Sequence, residues 1–288
     1  MSIQNSGSRP RDDRVLPEVR AVAVFVIFIL ILAVIVLYFM PDTTDTNFAW
    51  TIKPTLTAMA MGAGYIMGIY FFARVTFLKR WHYATVGYLP ITMFTIWMLL
   101  ATLLHLDRFN QSAFAFYFWL VIYIITPILV PFLWFRNRVT DPGLTANEFQ
   151  VPIIARRIAG VIGVAFTLFF ILCFLFPDVL IGIFPWKLTP LTARVIAGWL
   201  SFPGIGGLML AREPRWSSWR LVIEAAYVGI VFFLLAVPRA WNDLVQGNPL
   251  TWVLLIALLG SLILVPALYL FMERQKLGRA TTSSSMGS

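Results

Sequence analysis

Eight stretches of this chain run for about twenty residues each with at most one charge apiece, and that pattern fixes the class of fold. A helix rising about 1.5 Å per residue needs about twenty apolar residues to cross a hydrocarbon layer of roughly 30 Å. The stretches are Ala21–Met40, Pro54–Ala73, Ala84–Leu104, Ala113–Phe135, Ile158–Phe176, Leu191–Ala211, Leu221–Val237 and Leu250–Met272. Only 12% of the 288 residues are charged, against about 25% in soluble domains. Too few polar residues remain to coat a water-soluble surface, so lipid covers the exterior. The first stretch outlasts a signal-peptide core of about 7–15 residues and ends in Tyr38-Phe39-Met40-Pro41, a poor cleavage site, so it reads as a retained helix.

The net charge of +9 is topogenic rather than a nucleic-acid footprint, because the basic residues lie between apolar runs. Of 22 Lys and Arg, 17 fall on one set of flanks and 4 on the other, and Arg194 lies within a span. The bias predicts that both termini are cytoplasmic and that the basic flanks meet anionic lipid headgroups. The lone Cys173 allows no internal disulfide.

The chain also matches itself. At an offset of 136, Arg20 meets Arg156, Pro41-Asp42 meets Pro177-Asp178, Trp50 meets Trp186 and Pro54 meets Pro190. At 135, Arg80-Trp81 meets Arg215-Trp216, and Ile128-Leu129-Val130-Pro131 meets Ile263-Leu264-Val265-Pro266. These matches predict an all-α, polytopic transmembrane bundle of eight helices built as two tandem parallel four-helix repeats. The expected parts are an N-terminal tail over 1–18, repeats over 19–136 and 156–273, a linker over 137–155 and a C-terminal tail over 274–288. The tails, before about Val15 and after about Lys276, are expected to be disordered. The halves are expected to pack around a pseudo-twofold axis, with any pocket between them.

Proline and tryptophan punctuate the spans. Pro131, Pro266 and Pro203 each remove a backbone hydrogen bond and are expected to kink their helices. Trp50 and Trp186 precede a helix-starting proline, and Trp81 and Trp216 follow an arginine, so all four read as interfacial anchors. The glycines of the second and sixth spans favour close helix contact. The alternative is an unwound, polar stretch, for which Ser201-Phe202-Pro203-Gly204 is the better candidate.

Ionisable groups within a span are functional candidates. Arg194 and Glu224 qualify, and the first repeat has Ala58 and Leu89 in their places. Arg194 can snorkel to headgroups and Glu224 can pair with Arg220 one turn away; a ligand or ion path that adds Ser201 and Gly204 is the other reading. His82 and His105 lie about 34 Å apart along one helix, too far to share a haem or metal, and read as interfacial. The acids of the sparsely charged flanks show no metal-loop spacing, so neither metal nor cofactor is expected. Metalloprotease, nucleophile-elbow and phosphate-loop motifs are lacking, and an enzyme is not expected.

The run Trp186-Lys187-Leu188-Thr189-Pro190-Leu191-Thr192-Ala193-Arg194, with Phe184-Pro185 before it, resembles a pattern of uncharacterised bacterial multi-span membrane proteins. The resemblance implies a bacterial plasma membrane and no particular activity. Two functions stay open. One is binding or translocation of a small or lipophilic molecule between the halves, which requires a polar, water-reachable cavity near mid-membrane. The other is a non-transporting subunit or scaffold that docks a partner or a second copy, which requires a filled interface and an exposed apolar or aromatic face.

Overall fold

A computed structural model describes residues 11–146 and 148–285, with side chains as far as Leu277. Among the described residues, eight helices are long and apolar enough to cross a membrane. They are α1 (Pro17–Phe39), α2 (Thr55–Phe77), α3 (Thr85–Leu104), α4 (Phe114–Arg138), α5 (Ile153–Leu175), α6 (Pro190–Arg212), α7 (Trp216–Ala236) and α8 (Pro249–Ser285). The protein is therefore an integral, multi-pass, all-α membrane protein. Phe25, Phe28, Ile128, Val161 and Ile263 are more than 60% exposed on its outside, which only an apolar solvent tolerates in such number.

Local chemistry explains the helix starts. Pro17 and Pro190 occupy first-turn positions, where a missing N–H has no partner to lose. Before α6, the Thr189 hydroxyl accepts the Thr192 N–H while the Thr192 hydroxyl bonds back to the Thr189 N–H. The Leu-Thr-Pro-Leu-Thr core of the motif is thus a capping device.

The helices form two rows. In one, α1 packs on α2, α2 on α7 and α7 on α8; in the other, α5 packs on α6, α6 on α3 and α3 on α4. Each row mixes helices from both halves of the chain. This corrects the expectation of two self-contained four-helix bundles side by side: the halves interlock, because α2 and α6 turn Gly64 and Gly198 to the opposite half, while most of their other glycines pack on α1 and α5. A Cβ on Gly64 would lie 2.3 Å from the Trp199 ring, one on Gly198 2.3 Å from Met98 Cε, and Gly229 packs on Met67. Exchanging each helix for the one four places along leaves the row pattern unchanged.

Two arginines close the rows. Arg20 donates from Nη1 and Nη2 to the Thr76 and Leu78 carbonyls, at 3.0 and 2.7 Å. Arg156 donates from Nε to the Ala211 carbonyl at 3.1 Å, and Nη2 lies 3.5 Å from that of Arg212. Each cation satisfies orphan carbonyls at the C-terminal end of α2 or α6, where the helix dipole favours it.

The boundaries differ from expectation where charge is tolerated near a helix end. α1, α5 and α7 start earlier than Ala21, Ile158 and Leu221, taking in Arg20, Arg156, Arg157 and Arg220. The first turn of α5 thus lies in the expected linker. The tails also differ. Residues from Asp13 onward are docked, with the Trp81 N–H donating to the Asp13 carbonyl at 2.7 Å, and α8 stays helical to Ser285. The expected disorder before Arg11 and after Ser285 lies outside the described residues.

Candidate functional site

Three polar constellations and one closed seam are the places where function could sit. The first lies in the membrane. Glu224, on the third turn of α7, does not pair with Arg220 as expected. Its carboxylate accepts from Tyr70 at 2.9 Å and Tyr269 at 2.7 Å, and it forms an ion pair with Arg74. Arg220 turns instead to the Tyr269 hydroxyl at 2.9 Å and to Glu273 at 3.2 Å, and Glu273 accepts the Trp216 indole N–H at 2.7 Å. A partly buried carboxylate is stabilised by such compensation, and here it ties α2, α7 and α8 together. The sequence shows the acid but not its partners, because these come from helices about 45 and 150 residues away.

The second constellation lies on the face that carries both termini. His82 is only 2% exposed, so it is not an interfacial histidine. Its Nδ1 meets Asp13, its Nε2 lies 3.1 Å from the Ser217 hydroxyl and 3.4 Å from Glu148, and its backbone N–H donates to Asp13 at 3.1 Å. Asp13, His82 and Ser217 share the connectivity of an acid–imidazole–hydroxyl triad. Glu148 changes its chemistry: the Ser217 hydroxyl lies 3.1 Å from this second carboxylate, a fixed negative charge that opposes an oxyanion beside it. The cluster is better built to clamp two chain segments, the N-terminal arm and the α4–α5 connection, onto the starts of α3 and α7.

Arg215 extends the clamp. It reaches Asp141 at 2.7 Å and Glu213 at 2.7 Å and is 5% exposed. Burial opposes its charge, but the two carboxylates outweigh burial and hold its pKa above the usual arginine value. Burial likewise opposes ionisation of Asp141, yet hydrogen bonds from Arg215 and the Gly143 N–H hold its carboxyl below the usual range. Gly143 makes that turn at φ +80°, a conformation open to glycine. The clue in the sequence was positional: His82 and Ser217 stand 135 residues apart, each directly after an Arg-Trp pair.

The third constellation is Arg194, on the opposite face. It does not snorkel freely. Its Nε donates to the Phe174 carbonyl at 3.0 Å and its Nη1 to His105 Nε2 at 2.8 Å. Arg194 and Glu224 belong to separate clusters.

The four tryptophans are a correction. Trp50, Trp81, Trp186 and Trp216 are 0–3% exposed, so they are core residues and not lipid-facing anchors. Trp186 donates to Thr57 at 2.8 Å, across the halves, and Trp50 packs in tilted and edge-to-face contacts among Phe48, Phe109 and Trp119. The reason is that the loops on each face fold over the helix ends and bury the rings before headgroups can reach them. Pro131 and Pro266 lie inside the continuous helices α4 and α8. At Pro203 the sixth span does break, into Pro190–Trp199 and Ser201–Arg212 around Leu200.

The expected site residues Ser201 and Gly204 follow that break directly, in the helical segment Ser201–Arg212. Gly204 is not open to a ligand: a Cβ there would sit 2.9 Å from Thr167 Oγ1. Ser201 is fully buried and its hydroxyl has no partner, nor do Thr167 Oγ1 and the indole N–H groups of Trp97 and Trp199. Around them the seam is closed. Tyr65 and Tyr123 hydroxyls bond at 2.9 Å, Trp199 packs on Phe94 and Tyr65, and one apolar cluster runs continuously through both halves.

No protein-family model matches this chain, and no curated protein and no solved structure matches it either.

Proposed function

We propose that this is a non-transporting, non-enzymatic scaffold of a bacterial plasma membrane, assembled by duplication of a four-helix unit and oriented with both termini in the cytoplasm. The observation that carries this reading is the filled seam. Interdigitated side chains close the contact between the halves, from the Tyr38 hydroxyl on the Phe232 carbonyl at 2.8 Å, through Tyr65 and Trp199, to Arg74 on Glu224. Sliding one half past the other would break these ties together. The face with the termini is pinned by ion pairs between distant segments, which suits a fixed docking surface for a membrane partner or second copy. Exposed Arg14, Arg80, Arg138 and Arg212 on that face favour anionic headgroups.

A second reading, binding or translocation of a small or lipophilic molecule, draws on the unpartnered donors near the break in α6. Buried donors without acceptors cost about 1–3 kcal/mol each, so a polar occupant there would be stabilising. The test is water access to the seam. Cys173 is fully buried in it and is the chain's single cysteine. In native membranes, a membrane-impermeant maleimide should leave Cys173 unmodified, and also a cysteine at Ser201 in a Cys173→Ser background. Labelling at either position, protected by a translocated solute, would replace the scaffold with the transport reading.

A further inference from the structure

A guanidinium carries five N–H donors. At Arg194, Nε–H serves the Phe174 carbonyl and one Nη1–H serves His105, which leaves three. Arginine only donates, so His105 Nε2 is the acceptor. The ring is therefore neutral, with its proton on Nδ1 as one further donor. No carboxylate among the described residues forms an ion pair with Arg194; the nearby Asp107 is paired with Arg108. A partly buried charge without a counter-charge is costly.

We propose that Arg194 and His105 form a binding site for a phosphate group, on the face opposite the termini, filled by a lipid headgroup phosphodiester or by free phosphate. The planar guanidinium fork matches paired phosphate oxygens, and the imidazole N–H supplies a donor beside it. The depth also fits. Phe174 lies in the last turn of α5 and His105 directly follows α3, so the pair sits level with helix ends, where headgroups begin. Repeat symmetry offers an internal comparison. The equivalents of Arg194 and His105 are Ala58 and Ala240, both buried. The two donors are thus present together at one seam and absent together at the other, as expected of a pair with one joint task.

The chain has two histidines, so imidazole nitrogen NMR of histidine-labelled protein reads the site directly, with His82 as the internal control of folding. The protein is prepared in a maltoside detergent free of phosphate. Inorganic phosphate and, separately, a short-chain phosphatidylglycerol are titrated in. Burial and the Arg194 charge hold the His105 pKa below the usual histidine value, so a bound phosphate should raise it. The expected result is a saturable shift of the His105 signals with His82 unmoved, and apparent affinity weaker by about tenfold or more in Arg194→Gln. A response to phosphate alone assigns a free anion; a response to lipid alone assigns a headgroup. Arg194→Lys, which keeps the charge without the fork, should fall between. A parent with unperturbed His82 signals and no saturable His105 response to either probe overturns the proposal. So does an Arg194→Gln protein that responds as the parent does.

Discussion

The closest approach of a glycine to the backbone of another helix, among the described residues, predicts the effect of a single methyl group. A Cβ added at Gly163 of α5 would lie 2.6 Å from the Leu208 nitrogen, 2.8 Å from the Gly207 carbonyl carbon and 2.9 Å from the Gly204 oxygen. All three atoms are backbone of α6, so no side chain can swing aside. Ordinary contact begins at 3.4 Å, and α6 must therefore retreat by several tenths of an ångström from α5. Overpacking of this kind costs about 1–3 kcal/mol. Replacing glycine by alanine within a helix returns up to about 1 kcal/mol, so Gly163→Ala should destabilise by about 1–2 kcal/mol net. Gly260 supplies the control, because nothing lies within 4 Å of its added Cβ, and Gly260→Ala should gain about 0.5–1 kcal/mol. Gly160→Ala, 3.2 Å from Ala211 Cβ, should lie between. Thermal unfolding in one detergent, followed by tryptophan fluorescence, ranks the three variants. A Gly163→Ala protein that melts at or above Gly260→Ala would show that the α5–α6 contact is looser than its backbone distances imply.

The remaining predictions concern the polar clusters. His82→Ala leaves the buried Asp13 and the partly buried Glu148 without their shared partner and should cost about 3–5 kcal/mol or release the N-terminal arm, read as new protease cleavage near residues 11–16. Asp141 has a folded pKa below its unfolded value, so its stabilising effect is complete above the ordinary carboxylate range of about 4 and is lost as pH falls through the depressed folded value. The melting-temperature gap between parent and Asp141→Asn should therefore be wide at neutral pH and close in acid; an equal gap at both would contradict the assignment. Glu224→Gln should cost about 1–3 kcal/mol and raise hydrogen exchange in the terminal-side half of α8, while α4 stays protected.

How much was legible beforehand differs by feature. The eight spans, and the helix start at Pro190, follow from local composition, because a run of apolar side chains meets hydrocarbon whatever its neighbours are. The break at Leu200, just before Ser201-Phe202-Pro203-Gly204, follows similarly from a proline that cannot donate. Glu224 stood out as an acid in an apolar span, but its partners Tyr70, Arg74 and Tyr269 did not, because aromatic and flanking residues carry no mark of pairing. The sequence also misassigned Trp50, Trp81, Trp186 and Trp216, since an indole beside a helix end reads alike whether a loop or a headgroup covers it.

What the chain determined alone was its solvent: water cannot accommodate these eight segments, and no tertiary contact is needed to know it. What only the tertiary structure decided was which helices meet. Hydrophobicity does not choose neighbours inside a membrane, where lipid tails are as apolar as leucine. The choice falls to shape and to a few polar bonds, such as Gly64 on Trp199, Gly198 on Met98 and Arg74 on Glu224, and these exist only once the two halves have interlocked.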